Sequence, residues 1–444
     1  MSLRPFSSKL GLAVLLGVLI TDAAAAADKY PLKEKYEVGD QWCTSLTLKI
    51  NGTLQMQSGE KVLELTLNAA AEHEFPERLL GVDPSGQPLR VARQYEQAKA
   101  TITVQGAASN RTLRPGRKLQ VAQRIKDETV TFAPGGPLTR EELELTGEHL
   151  DVLMLPALLP EKEVGIGESW EVGIPAIQAL VGLEGVINQD VKGKLDAVQG
   201  DLAQLAFTGS VEGISNGAEV KTVLDGRCTF NLKSQRITAL EWKQKEARQQ
   251  GPVSPGAKTE STTSMKRTLG GKSEALADAV ILQLPAEPLP SHLMLLHREP
   301  KGRHEMLLER SWHIVAQTDQ YTVLRLLERG ELVAQVNVIP WEKAKPGQHI
   351  NPDDLKKLIA DAQSFTLDQI VQSGVVPSGS GHWIYRITAA GKSNETPVLQ
   401  NYFAVAGPQG DQVILIFTTE VNQSERLASR DLAIAATVSF SQGK

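Results

Sequence analysis

The strongest constraint on this chain is a two-residue alternation of polar and apolar side chains that persists through most of its length. "TSLTLKI" follows Cys43, and "KVLELTLNAAAEHEF", "QPLRVARQYEQAKATITVQG" and "RKLQVAQRIKDETVTF" continue in the same manner. Alternation with β-branched residues predicts half-buried antiparallel strands, and Gly and Pro at "DPSG", "RPG" and "APGGP" supply the turns. After residue 160 the pattern resumes in "DVKGKLDAVQGDLAQLAFTGSV", "AEVKTVLDGRCTFNL" and "QRITALEWKQKEARQQ", with "GPVSPGAKTESTTS" as a polar loop. A Gly-acid-x-Trp element occurs twice, in "YEVGDQW" (36–42) and "VGIGESW" (164–170). Its glycine suits a turn, its acid can accept from nearby backbone N–H groups, and its Trp opens a strand by packing inward.

Helical signals are fewer. Thr139 and Glu142 have capping-box spacing, which predicts a helix from Thr139 that ends by Pro156. "PAIQALVGLEGV" is a short second candidate. In "NPDDLKKLIADAQSF", Asn351 is an N-cap, Pro352 suits the first turn, and Leu355, Leu358, Ile359 and Ala362 predict an apolar stripe along a long helix. A last helix is expected around "NQSERLASRDL". The fold class expected is α+β: β-rich curved antiparallel sheets with a few helices in the N-terminal region, and a C-terminal antiparallel sheet flanked by helices.

The N-terminus has Arg4 and Lys9 before an apolar run from Leu10 to Ile20, then small residues around Ala23 to Ala27. That order predicts a signal peptide over 1–27, and the apolar run is too short to span a bilayer comfortably. The expectation is a bacterial periplasmic or secreted protein with no transmembrane segment in its mature chain. Its 444 residues suit several domains. The boundaries expected are a β-rich half at 28–160, a second at 161–284 whose strands can join the first in one continuous sheet, a Pro-rich linker at 285–291, and an α/β domain at 292–444. A net charge of −5, with no basic run, gives no reason to expect nucleic acid. Cys43 and Cys228 are expected to form one disulfide in an oxidising compartment, the alternative being two buried thiols.

Past the linker, "RSWHIVA", "YTVLRLLERGELVAQVNVIPW", a helix, "GHWIYRITAAG", "PVLQNYFAVAG", "DQVILIFTTEV" and a closing helix give the order β-β-β-α-β-β-β-α. That order, with a hairpin at "ERGE" and "YFAVAGPQGDQVILIFTTEV" before the last helix, resembles the PsbP-like domain over about residues 295–442. The resemblance implies a docking or assembly factor rather than an enzyme. The β-rich part is similar to the LolA and LppX class of envelope proteins, which implies a curved sheet able to hold a lipid chain. "LLPEKEVGIGESW" looks like a pattern found in uncharacterised bacterial secreted proteins.

No catalytic constellation stands out. His292, His297, His304 and His313 cluster in sequence but lack the tight spacing of a metal site, and read as surface or interdomain residues. Ser380 and His382 in "PSGSGHW" precede a strand rather than sit at a strand-to-helix elbow, so a flexible turn is expected. The acids of "TREELELTGEHLD" read as an exposed helical face, and the six tryptophans as core. The functional expectation is a noncatalytic extracytoplasmic binding or assembly protein needing no cofactor or metal, its partner an unidentified protein or an apolar ligand. The alternative is a periplasmic carrier of a lipid or other apolar ligand in the curved N-terminal sheet, and a secreted hydrolase ranks below both.

Overall fold

The computed structural model describes residues 28–58, 61–125, 128–147, 151–160, 162–379 and 381–441. The expected signal peptide at 1–27 lies outside the described residues. Fourteen strands form one antiparallel sheet. They are β1 (Gln41–Ser58), β2 (Lys61–Val82), β3 (Pro88–Gln94), β4 (Gln97–Val104), β5 (Ala107–Thr112), β6 (Leu119–Ile125) and β7 (Glu128–Phe132), then β8 (Ser169–Glu171), β9 (Gly185–Gln189), β10 (Lys192–Gln199), β11 (Leu202–Ser215), β12 (Ala218–Asn231), β13 (Arg236–Arg248) and β14 (Gly256–Leu269). The spatial order is β8-β10-β11-β12-β13-β14-β1-β2-β3-β6-β7, with β9 on β11 and a β4–β5 hairpin on β2. The two halves meet where β14 pairs with β1, from Leu269 opposite Trp42 to Gly256 opposite Gln55.

Alternation explains why these segments are strands and which face each buries. In β12, Ala218, Val220, Thr222, Leu224, Cys228 and Phe230 point inward while Glu219, Lys221, Val223, Asp225, Arg227 and Thr229 do not. Two tryptophans lie flat over glycines on the neighbouring strand. Trp170 pairs with Gly193 and Trp242 with Gly226, and a Cβ at either glycine would lie 2.4 Å from the indole.

The expected disulfide is not present: both cysteines are free thiols. Cys228 pairs with Leu240, Leu240 with Met265, and Met265 with Leu46, so its row reaches β1 three strands away, about 14 Å across the sheet. Cys43 is an odd number of residues from Leu46 and faces the opposite side. A disulfide requires Cα atoms within about 7 Å and converging Cβ vectors. Burial pushes the Cys228 thiol pKa well up, and it acts as a small core hydrophobe. Thiol titration of the unfolded chain without reductant should therefore find two free groups; none would mean that the pair had formed.

The C-terminal part begins with β15 (Leu295–Arg298) and β16 (His304–Leu308), and continues as β17 (Trp312–Gln317), β18 (Thr322–Glu328), β19 (Glu331–Trp341), β20 (Thr366–Val376), β21 (Trp383–Ser393), β22 (Thr396–Ala406), β23 (Gln412–Glu420) and β24 (Ser439–Phe440). β15, β16 and β24 form a small sheet, and the rest a seven-stranded sheet ordered β17-β18-β19-β23-β22-β21-β20. Ala133 and Leu138 from the N-terminal region belong to the same core cluster as Leu295, Trp312, Phe403 and Phe417. The Pro-rich segment packs back on the first sheet, with Arg90 donating to the Pro285 carbonyl and Gln123 to the Glu287 carboxylate at 2.9 Å.

The α+β expectation is corrected. The described residues are 56% strand and 14% helix, a β-rich protein rather than sheets flanked by helices. The helices of eight or nine residues are α1 (Arg140–Gly147), α2 (Ile174–Val181), α3 (Pro352–Ala360) and α4 (Arg430–Thr437). Asn351 caps α3 as expected, accepting from Asp353 N at 3.0 Å, but the helix stops before Ala362 and leaves Leu358 46% exposed. The chain then forms β20, a strand absent from the expected order. β20 is an edge strand with two register shifts against β21, so its alternation is broken and the period-two signal is lost.

Candidate functional site

The long β1–β2 hairpin carries an unusual face. Leu48 pairs with Ala71, Ile50 with Ala69, Gly52 with Leu67 and Leu54 with Leu65. On the other side of β2, Ala100 pairs with Ala71, Ile102 with Ala69 and Val104 with Leu67. Directly paired residues project to the same side of a sheet, so these rows make one continuous hydrocarbon surface. Its deep end, at Leu48, Ala71 and Ala100, is buried against Leu145 of α1. Farther along, Ile50, Leu54, Leu67, Ala69, Ile102 and Val104 are only partly covered, and Met56 and Leu63 at the tip are about half exposed.

Opposite this face lies a wall from three separate parts of the chain. It comprises Glu144 and Leu145 of α1, Val253, Ser254 and Pro255 of the β13–β14 turn, and His313 and Ile314 of β17. The cleft between has a volume of about 520 Å³, within the usual range for small-molecule sites. The wall is held by backbone-directed bonds. Arg325 donates to the Pro252 carbonyl at 2.5 Å, Gly251 N donates to the Ser254 carbonyl at 2.9 Å, and Arg140 donates to the Trp312 carbonyl at 2.8 Å. The two sheets also approach closely where a Cβ on Gly217 would lie 2.4 Å from the Gly330 carbonyl oxygen. The lining charges are Arg111, Arg140 and Arg248 against Glu144, which pairs with Arg111 at 2.6 Å. Burial and the Arg140 guanidinium hold the His313 imidazole down at about 4, so it is neutral near pH 7.

A second polar feature lies at the start of β1. Glu77, fully buried, accepts from the Trp42 indole at 2.5 Å, the Thr44 hydroxyl at 2.7 Å and Arg93 Nε at 2.8 Å. Beside it, Glu34 accepts from Ile237 N at 2.6 Å, from Arg267 at 3.2 Å and from the Tyr36 hydroxyl. Burial, reinforced by the Glu34 charge, raises the Tyr36 phenol well above its usual range. The Arg267 guanidinium is 5.2 Å from the Trp42 ring centroid. "YEVGDQW" thus does what a strand opening requires, with Asp40 accepting from Glu37 N at 2.9 Å, and also anchors a buried ionic layer. "VGIGESW" makes the same start more simply: Glu168 accepts from Gly165 N at 3.0 Å and the Trp170 indole donates to the Leu158 carbonyl at 2.9 Å.

The sequence candidates fall elsewhere. His292, His297 and His304 are buried, and His292 stacks on Phe132 with centroids 5.3 Å apart, so it lies between the two parts of the molecule rather than on the surface. Among the described residues no group of three or more His, Cys, Asp or Glu is arranged to hold a metal. Ser380 lies outside the described residues; His382 packs edge-on against Phe440 at 5.4 Å, in the connection between the antiparallel strands β20 and β21. Glu142, expected on an exposed face, is buried and bonded to Arg114 at 2.6 Å, which holds its carboxyl below the usual range despite burial. The alternative of an apolar ligand in the N-terminal sheet named no binding residues, and those that line the apolar cleft were not singled out. Its signal was the unbroken cross-strand match of Leu, Ile and Ala, which looks like core until one knows that little covers it.

No protein-family model matches the sequence, and no curated protein matches it. Among solved structures, the chain is similar to the cyanobacterial PsbP protein from Synechocystis sp. PCC 6803, at 12% identity over 36% of this chain and 99% of that one, with a TM-score of 0.27. It is also similar to lipovitellin, described for its lipid–protein interactions, at 10% identity over 58% of this chain and 27% of that one, with a TM-score of 0.29. A third likeness is to Salmonella typhi OmpF in complex with daunomycin, at 8% identity over 87% and 99%, with a TM-score of 0.12. The LolA and LppX resemblance finds no support, and at these TM-scores none of the three likenesses carries an argument about function. Among the described residues no helix is long and apolar enough to cross a membrane.

Proposed function

We propose that this protein is an extracytoplasmic binding protein that holds a ligand with a hydrocarbon chain in the cleft beneath the β1–β2 hairpin. The observation that carries this reading is the continuous row of Leu, Ile, Val and Ala side chains on β1, β2 and β4, partly exposed in a cleft of about 520 Å³. Uncovered apolar surface is costly in water, and a contiguous patch of it marks a place where something binds. Each methylene of a chain laid on this face gains about 0.8 kcal/mol. The segments of the opposing wall are tied to the second sheet, Pro252 through Arg325 and α1 through Arg140 and the Trp312 carbonyl, so that wall is largely formed before a ligand arrives.

The test is mass spectrometry of the natively purified protein for a copurified amphiphile, followed by titration with an environment-sensitive apolar fluorophore. Ile102→Asp and Leu67→Asp place a charge on the half-covered part of the face and should weaken binding by about tenfold or more while melting changes little. No saturable binding by the native protein, or binding unchanged in both variants, would overturn the reading. A protein-docking role has its own observation: β20 is an unpaired sheet edge with Val371 and Val375 more than half exposed. Chemical cross-linking at that edge to a specific envelope protein would favour it.

A further inference from the structure

The apolar face has a polar end. β13 ends at Arg248, which pairs with Ala257 of β14; Ala257 pairs with Leu54 of β1, and Leu54 with Leu65 of β2. All four share one face, so the Arg248 side chain starts beside the hydrocarbon rows, and Arg248 lines the cleft. Its Nε is shielded from solvent and has no hydrogen-bond partner. Its Nη1 lies 3.9 Å from Glu246, an ion pair beyond hydrogen-bond distance. In the adjoining turn, the Ser254 hydroxyl is likewise shielded and without a partner, and it lines the same cleft.

Two buried donors left unspent at one end of an apolar cleft are costly unless something accepts from them. We infer that the ligand is a single-chain amphiphile with a carboxylate head, its two oxygens accepting from Arg248 Nε and the Ser254 hydroxyl while its chain lies along β1 and β2. This rests on the apolar-ligand reading of the same cleft. Charge favours an anion, because the lining holds three arginines against one glutamate and His313 is neutral near pH 7. The charge left over favours a carboxylate over a phosphate monoester: Arg111 is paired with Glu144 and Arg140 is bonded to the Trp312 carbonyl, which leaves Arg248 to meet a single negative charge.

The experiment measures the affinity of the purified protein for a twelve- to sixteen-carbon fatty acid, the matching primary alcohol and the matching alkyl phosphate, by fluorophore displacement at pH 7.5. The acid should bind about ten- to a hundredfold more tightly than the alcohol, the range expected for bonds to a charged group. Arg248→Met keeps the apolar stem, and should remove this preference by weakening the acid while the alcohol changes less than about threefold. Ser254→Ala should weaken the acid alone, by several-fold. Equal affinities for acid and alcohol, or a preference that survives Arg248→Met, would overturn the carboxylate head and leave the apolar cleft standing. Tighter binding of the phosphate would overturn the choice of carboxylate. If none of the three binds, the apolar-ligand reading falls as well. Circular dichroism and melting of each variant show whether a loss reflects binding or folding.

Discussion

Acidification from pH 7 to pH 4 is expected to remove at least about 6 kcal/mol of unfolding free energy, as much as many domains possess in total. Two histidines buried as neutral rings account for that much, and His313 in the cleft wall, held at about 4, adds to it. His73 on β2 packs against Tyr95 with centroids 6.3 Å apart, and burial brings its pKa down to about 4. His304 on β16 is brought down to about 4 as well, chiefly by burial, then by the neighbouring His297, with Glu299 opposing. In the unfolded chain both titrate near 6.5. Between the two values the unfolded chain takes up protons that the folded chain refuses. Stability is therefore complete above about pH 6.5 and falls steadily toward pH 4, by about 3 kcal/mol per histidine. Glu142, held below the usual carboxylate range by Arg114, extends the loss at the acid end. Urea unfolding at several pH values checks this, and His73→Phe or His304→Phe should flatten the slope. A stability independent of pH across this interval would contradict it.

The second large effect is expected at Glu77. Replacing it by Ala strips the acceptor from Arg93, Trp42 and Thr44 together, and Arg93 is itself only 5% exposed. A buried guanidinium without its carboxylate costs about 3 to 5 kcal/mol, and the orphaned indole and hydroxyl add to it. The paired change Glu77→Leu with Arg93→Met should recover most of the loss, because the charge and its partner then leave together. Equilibrium unfolding of the three proteins decides the matter. A loss below about 1 kcal/mol in Glu77→Ala would mean that water reaches Arg93 and that the layer is not sealed.

Much of the β structure was legible because alternation is local. "AEVKTVLDGRCTFN" states its own inward and outward faces, and β12 follows them residue by residue. The same logic failed where a strand is irregular: β20, at a sheet edge with two register shifts, merged with the helix before it. Helix length was overestimated for a related reason. The cap at Asn351 marks where a helix starts but not where it stops: Ala362 packs against the same core as Leu355 and Ile359 from beyond the helix, because the chain leaves α3 after Ala360 for the sheet edge. The cysteines illustrate a different limit, since two residues and an expected oxidising compartment say nothing about register or face, and both oppose a bond here.

By itself, then, the sequence determined the regular strands, their turns and the two Gly-acid-x-Trp openings, because these depend on neighbours a few residues apart. Tertiary structure decided the rest. Glu34 meets Arg267 across 233 positions, a pairing that no local pattern encodes. The rows from Leu48 to Leu67 read as core in any linear analysis; they become a cleft only because the opposing wall, built from α1, the β13–β14 turn and β17, stands off from them. Hydrophobicity specifies which side chains avoid water, whereas the space left between two packed sheets depends on how the whole chain closes around them.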